Sequence, residues 1–301
     1  MELRQLEYFV AVVEEANFSR AAARLHVAQP GVSAQIRQLE RELGEPLLDR
    51  SGRTVRLTDA GAVALPYARA ALSAAGGVRQ AVDELAGLVR GRVAVGMIAS
   101  WSAMSLPDVL ADFHHRHPAV AITLSEANSS QLLAGLASGT LDLALIGLAG
   151  PPPPGIEIQV VLDVPLVAVV SRDDPLAAET ATTLGSLGER ALMCLPRGTG
   201  MRAALDRACA SAGVAPRVSF EASEPMVLAH LAGRGLGVAI LPESVTDGQS
   251  QLRAIPVTGP EPRSRLALAW STATASSPAA RALIAHARAA IHGRPAASAA
   301  I

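Results

Sequence analysis

The chain contains no lysine, so all 26 of its basic residues are arginine. That excludes lysine Schiff-base chemistry and the lysine of a phosphate-binding P-loop. Cysteine is nearly absent as well. Cys194, in the apolar run ALMCL, and Cys209, on a helical stretch, make neither a disulfide framework nor a zinc site, and both are expected to be buried, reduced thiols. Long hydrophobic runs are missing too: the longest, around Val164 to Val170, falls far short of the roughly 18 residues of a membrane span. The N-terminus carries Glu2, Glu7, Glu14 and Glu15 without an unbroken apolar stretch, unlike an export signal. A cytoplasmic protein with no membrane partner is the expectation. The net charge of −1 lacks the basic excess of a general DNA-packaging protein, so a nucleic-acid partner must be argued from local charge.

What is present divides the 301 residues into several units, since half of them are apolar and such a chain fits two or three cores. Leu3, Leu6, Phe9, Val10 and Val13 recur at helical spacing and predict a helix from Leu3 to Glu15. Ser19 is placed to cap a second helix running to about His26, with Phe18, Ala22 and Leu25 inward. After a tight turn through Val27 and Ala28, Pro30 sits in the first turn of a third helix, where its missing N–H costs nothing. Val32, Ile36, Leu39 and Leu43 form that helix's inward stripe; Gln29, Ser33, Ala34, Arg37 and Gln38 form the opposite face. Two small helices crossing at Ala22, with a polar-faced second one, make a helix-turn-helix. LLDRSGRTVRLT then reads as a hairpin turning at Ser51-Gly52, the wing of a winged helix-turn-helix. From Ser19 to Arg56, seven arginines face four acids, a local excess of three positive charges.

A long helix is expected over 58–88, capped by Thr58, with Leu65, Leu72, Val78, Val82 and Leu85 as a pairing seam, a kink at Pro66 and a weak point at Gly76-Gly77. Beyond Arg90 strands and helices alternate. Strands are predicted at 92–98, 121–126, 142–147, 157–162, 166–170, 191–195, 218–221, 238–241 and 266–270, and helices at 102–115, 130–138, 201–212, 225–232 and 278–291. This is an α/β plan whose chain leaves one subdomain near 163 and returns near 265.

The segments LRQLEYFVAVVEEANFSRAAARLHVAQPGVSAQIRQLERELG, LLDRSGRTVRLTDAG and HLAGRGLGVAILP together resemble a LysR-type transcriptional regulator over nearly the whole chain. The resemblance implies a winged helix-turn-helix at 1–58, a linker or dimerisation helix at 59–90, and an α/β effector region of two Rossmann-like subdomains, similar to periplasmic binding proteins. These subdomains would span 91–163 with 265–293, and 164–264, leaving a flexible tail at 294–301. It also implies a homodimer or homotetramer that binds double-stranded promoter DNA, responds to a small-molecule effector between the subdomains, and can meet RNA polymerase. The chain departs from the family pattern at Ala28, where a hydroxyl is usual, and at Ala34, where a basic residue is frequent.

A helix lying in the major groove needs side chains that reach base edges and phosphates: Gln suits adenine, Arg suits guanine, and Ser bonds either. Gln29, Ser33 and Arg37 share one face, Pro30 stiffens the entry, and Gln38 and Gln35 flank it; Gln35 is the less outward. Arg50, Arg53 and Arg56 read as phosphate or minor-groove contacts. In open α/β sheets ligands sit beyond the carboxyl ends of strands, near helix N-termini. That rule selects Ser100, Trp101, Ser102, Asn128, Ser129, Ile146 and Gly147 on one side, and Arg197, Gly198, Thr199, Glu224 and Met226 on the other. Hydroxyls together with Trp101 and Met226 point to a small organic effector with a polar end and an apolar body. No cofactor and no metal site is expected; His114, His115 and His117 read as a surface helix end. Peroxide sensors of this family carry a reactive cysteine where this chain has Gly200 and Met201, which argues against a redox switch. No catalytic set converges, so an enzyme is not expected. A small-molecule binding protein or enzyme with an accessory helical domain is the alternative.

Overall fold

The structure, a computed structural model, describes residues 1–52, 54–85, 89–98, 106–273 and 277–292. Arg53, Ser100, Trp101, Ser102, residues 86–88 of the expected long helix and the 294–301 tail lie outside the described residues, as do the side chains of Val82 and Leu85.

The N-terminal unit packs α1 (Leu3–Glu15), α2 (Phe18–Arg24) and α3 (Gln29–Leu43) around Leu6, Phe9, Val12, Ala21, Ala22, Val32, Ile36 and Leu39, all buried. The second helix is capped by Asn17 rather than Ser19. The Asn17 carboxamide oxygen accepts the Ser19 and Arg20 N–H groups at 2.8 and 3.0 Å, which leaves Ser19 inside the first turn. It ends at Arg24, two residues early, and His26 takes the left-handed conformation that turns the chain toward α3. Ala28 precedes α3 with no side-chain cap, and the apolar stripe stops at Leu39: Leu43 is 45% exposed because the chain turns away at Gly44. The strands β1 (Leu48–Asp49) and β2 (Arg56–Leu57) pair antiparallel as the expected hairpin.

The long helix α4 (Asp59–Leu85) runs continuously through Pro66 and Gly76-Gly77. Thr58 caps it, accepting the Gly61 N–H at 3.0 Å. Its expected seam is redistributed: Leu65 and Leu72 pack down onto the helical core of the N-terminal unit, while Val63, Tyr67 and Val78 stand exposed.

The α/β region follows as β3 (Gly91–Met97), α5 (Leu106–Arg116), β4 (Val120–Glu126), α6 (Ser129–Ala137), β5 (Leu143–Leu148) and β6 (Ile156–Ser171). Next come β7 (Thr182–Thr183), α7 (Leu184–Leu187), β8 (Leu192–Cys194), α8 (Gly200–Ala212), β9 (Val218–Glu221) and α9 (Pro225–Gly233). The chain closes with β10 (Val238–Pro242), β11 (Leu252–Ile255), β12 (Val257–Thr258), β13 (Arg263–Ser271) and α10 (Pro278–His292). The main sheet runs β4-β3-β5-β13-β6-β10-β8-β9, with β11 also on β6. Where the sequence pattern predicts two strands, β6 is one. Its first part pairs with β13 and its last part with β10 and β11, so it belongs to both halves of the sheet. Pro165 stands where its partners change, and its missing N–H leaves no ladder bond to make there.

On one side of β6, the β3, β4 and β5 strands run parallel between two apolar layers: Phe113, Leu143, Leu145 and Leu283 on one face, Leu132, Leu136 and Ile146 on the other. On the other side β10, β8 and β9 run parallel over a core that includes Met193, Leu205, Leu228 and Ile240.

A Cβ at Gly76 or Gly77 would meet nothing within 4 Å. Replacing both by alanine is therefore expected to stabilise α4 by about 1 kcal/mol per site, read as a rise in melting temperature; a fall would mean the backbone there is not helical in solution.

Candidate nucleic-acid interface and ligand cleft

On α3 the buried stripe fixes which side chains face out. Gln29, Pro30 and Arg37 are exposed, and Ser33 and Gln38 are half-buried on the same side. Arg37 donates to the Ser33 hydroxyl at 2.8 Å, so these two groups already form one polar unit. Gln38 donates to Glu42 at 3.0 Å and accepts from Arg41 at 2.6 Å. Arg41, exposed one turn beyond Arg37, was missed by the sequence reading although it simply continues the spacing of Gln29, Ser33 and Arg37. Gln35 is half-buried.

The wing arginines differ from one another. Arg56 is exposed and sits opposite Asp49 in the ladder. The Ser51 N–H, the Ser51 hydroxyl and the Arg56 charge together hold the Asp49 carboxyl below the usual carboxylate range. Arg50 is exposed as well, but it pairs with Glu40 at 2.6 Å and lies 5.1 Å from the centre of the Phe18 ring.

The second site is a cavity of about 320 Å³ between the two halves of the α/β region. Asn128, Ser129, Gly147 and Thr199 line it, as the strand-end rule anticipates. Ile146 does not; its side chain is fully buried with Leu132 and Leu136 beneath the sheet. Arg197, Gly198, Glu224 and Met226 flank the cavity without lining it: Glu224 is the exposed residue preceding α9, and Met226 faces solvent.

Three of the four expected lining residues have their side chains committed to holding the site. Asn128 accepts the Gln131 N–H at 3.0 Å and its own N–H donates to the Gln131 side chain, a reciprocal cap on α6. The Ser129 hydroxyl accepts the Gly147 N–H at 3.0 Å. Thr199 accepts the Arg202 N–H at 3.3 Å and donates to the Pro196 carbonyl at 2.8 Å. The starts of α6, α8 and α9 thus border one space, and helix starts favour negative or oxygen-rich groups.

The remaining wall was missed by the sequence reading. Ile98, Ala127, Leu195, Met201, Pro225 and Leu266 supply apolar surface, and Glu126, Ser223, Ser264 and Arg265 supply polar groups, one of them acidic and one basic. Ser264 is only 5% exposed, and Arg265 donates to the Gly150 carbonyl. Leu195 and Ile98 follow strand ends and were within reach of the rule. Ser264 and Arg265 were not: they open β13, which runs antiparallel to β5 and so brings its first residues to the ligand side.

The two halves touch at glycine. A Cβ on Gly200 would lie 2.3 Å from the Gly147 carbonyl carbon, so no side chain fits between these backbones. Beside them the Ser130 N–H donates across the cleft to the Gly198 carbonyl at 3.1 Å. Gly198 holds a φ of +90°, open to glycine.

Both cysteines are buried. Burial pushes the Cys194 thiol up to about 11, and the nearby Arg202 guanidinium offsets only part of this; burial raises Cys209 as well. Among the described residues no group of three or more His, Cys, Asp or Glu is arranged to hold a metal ion. Alkylation of the folded chain at pH ~8 is expected to be slow at both thiols and fast after unfolding, because the thiolate is the reactive form. Rapid labelling of the folded chain would contradict this.

Comparisons with known proteins agree with this architecture. A family model described as the bacterial regulatory helix-turn-helix of the LysR family matches residues 3–62, and one described as the LysR substrate binding domain matches residues 86–291. The HTH-type transcriptional regulator ShiR of Corynebacterium glutamicum is 37% identical over 243 residues, covering 80% of this chain and 82% of its own. A full-length OxyR variant from Pseudomonas aeruginosa superposes with a TM-score of 0.73 at 27% identity, over 99% of this chain and 96% of that one. Full-length CbnR complexed with its target DNA gives 0.57 at 28% identity, over 96% and 99%. No helix among the described residues is long and apolar enough to cross a membrane. The chain belongs to the LysR family of DNA-binding transcriptional regulators, with an effector-binding domain behind its helix-turn-helix.

Proposed function

We propose that this regulator reads its operator through Gln29, Pro30, Ser33, Arg37 and Gln38 in the major groove, extended by Arg41 toward the phosphates. The observation that carries the reading is the orientation of α3: Val32, Ile36 and Leu39 are fully buried, so this polar face is the one left to meet DNA. Arg53 and Arg56 on the wing take adjacent phosphates or the minor groove. CbnR has been solved on its target DNA with the same domain order, which supports this docking.

The cavity between the α/β halves takes a small organic effector with a polar end and an apolar body. Helix starts, Ser223 and Ser264 suit the polar end, and Ile98, Leu195, Met201 and Leu266 suit the body. A response to hydrogen peroxide, of the kind some relatives are named for, is not proposed, since Gly200 and Met201 begin α8 and both thiols are buried. The active species is a homodimer or homotetramer. Val63, Tyr67 and Val78 form an uncovered apolar stripe on α4, and Leu124 and Phe220 are exposed on the edge strands β4 and β9. The protein works in the cytoplasm, and effector binding alters how DNA-bound protomers meet RNA polymerase.

The test uses operator DNA selected by the full-length protein from a random library. Ser33→Ala plus Arg37→Ala should weaken binding to it by at least about tenfold and relax base preference, since each base-edge pair removed is worth roughly 1–3 kcal/mol. Unchanged affinity and preference would remove α3 from the groove.

A further inference from the structure

Of the two described wing arginines, Arg50 is the one tied to another element. Its guanidinium meets the Glu40 carboxylate at 2.6 Å and lies over the Phe18 ring at the start of α2. The same carboxylate has a second engagement. Its other oxygen accepts the Leu47 and Leu48 N–H groups at 3.0 and 3.2 Å. Leu47 and Leu48 are buried, so these N–H groups need an acceptor, and the carboxylate, seven and eight residues upstream on α3, provides it.

One side chain on α3 therefore receives three hydrogen bonds from the root of the wing, all charge-assisted. The other side of that root is fixed too. The Leu47 carbonyl accepts the Thr58 N–H at 3.1 Å, and the Pro46 carbonyl accepts the Thr58 hydroxyl at 2.6 Å. Gly61 of α4 packs so closely that a Cβ there would sit 2.0 Å from the Leu47 oxygen. The segment between α3 and β1 is thus pinned by Glu40 from the recognition helix and by Thr58 and Gly61 from the linker helix.

We propose that Arg50 and Glu40 are positioning residues, which lock the wing to the recognition helix so that base-edge and phosphate contacts are made in one register. Arg50 does not contact DNA itself. Its charge is paired with Glu40 through one guanidinium N–H, and its plane lies over the Phe18 ring, so the side chain is held at the wing root although the residue is exposed. Arg56, exposed on the second wing strand, is the wing arginine of the described residues that meets phosphate. Because the pinned segment also carries the Leu47 contact with α4, a shift of the linker helix reaches the wing through this same root.

The inference rests on the reading of α3 as the groove helix, and the experiment separates the two. Affinity of the full-length protein for selected operator DNA is measured against salt for the wild type, Arg50→Ala, Glu40→Gln, the double variant, Arg56→Ala and the Ser33→Ala plus Arg37→Ala pair. Glu40→Gln keeps an acceptor for the Leu47 and Leu48 N–H groups, so it is the gentler change should Arg50→Ala lower the melting temperature. Positioning predicts that Arg50→Ala and Glu40→Gln each weaken binding by about tenfold, leave the salt slope at the wild-type value, and are non-additive in the double variant. Arg56→Ala should instead flatten the slope by about 0.9 for each phosphate it no longer neutralises.

A flattened slope for Arg50→Ala, or tighter binding by Glu40→Gln because a phosphate-seeking arginine has been released, would overturn the proposal. So would unchanged binding by both single variants while the Ser33 and Arg37 pair loses affinity. If that pair also binds normally, it is the groove reading that has failed, and the proposal falls with it.

Discussion

The close approach of the Gly147 and Gly200 backbones is the contact on which the effector region depends. It lets the end of β5 and the start of α8 meet without a side chain between them, and so brings the starts of α6 and α8 to one cavity. Around it the polar side chains act as scaffolding. Ser129 holds Gly147, Thr199 holds the first turn of α8, and Asn128 caps α6 against Gly198. A ligand entering this space meets oriented helix starts and an apolar wall, with few side-chain hydroxyls or amides left uncommitted. Recognition of the proposed effector by preset backbone dipoles would carry little reorganisation cost, which favours affinity.

The two ends of the chain solve the same problem with different material. In the effector region glycine allows backbones to meet; in the N-terminal unit a carboxylate does the joining. Glu40 ties the recognition helix to the wing, while Thr58 and Gly61 tie that wing root to the long helix. The linker helix is thereby part of the DNA-binding unit along its first turns, where Leu65 and Leu72 pack on the N-terminal core. Its contacts with the wing root and the N-terminal core are the route by which a change in its direction would be felt there.

Much of this is legible in the sequence because periodicity reports burial. The stripe Val32, Ile36 and Leu39 identifies the outward face of α3, and alternation of strands and helices locates most of the α/β elements. The misses have specific causes. Asn17 and Ser19 are both good caps, and local chemistry alone does not say which begins the helix. Pro165 reads as a break between strands, yet a strand that changes partners has a position needing no N–H, and β6 passes through it. Leu65 and Leu72 carry the right spacing for a pairing seam, but a helix packed on its own domain uses that face at home. Ser264 and Arg265 reach the cavity on an antiparallel strand, where a rule about carboxyl ends looks the wrong way. The Arg50–Glu40 pair is not legible locally because its members lie ten residues apart on different elements.

In the function proposed above, ligand-driven closure at Gly147 and Gly200 would change the arrangement of the DNA-bound protomers. The bend angle of selected operator DNA, read by end-to-end energy transfer for the wild type and for Gly200→Ala, tests that coupling directly. An added methyl group must separate the two backbones, since it would lie 2.3 Å from the Gly147 carbonyl carbon. The expected result is a changed bend angle with half-site affinity preserved. An identical angle from a folded Gly200→Ala protein would contradict it.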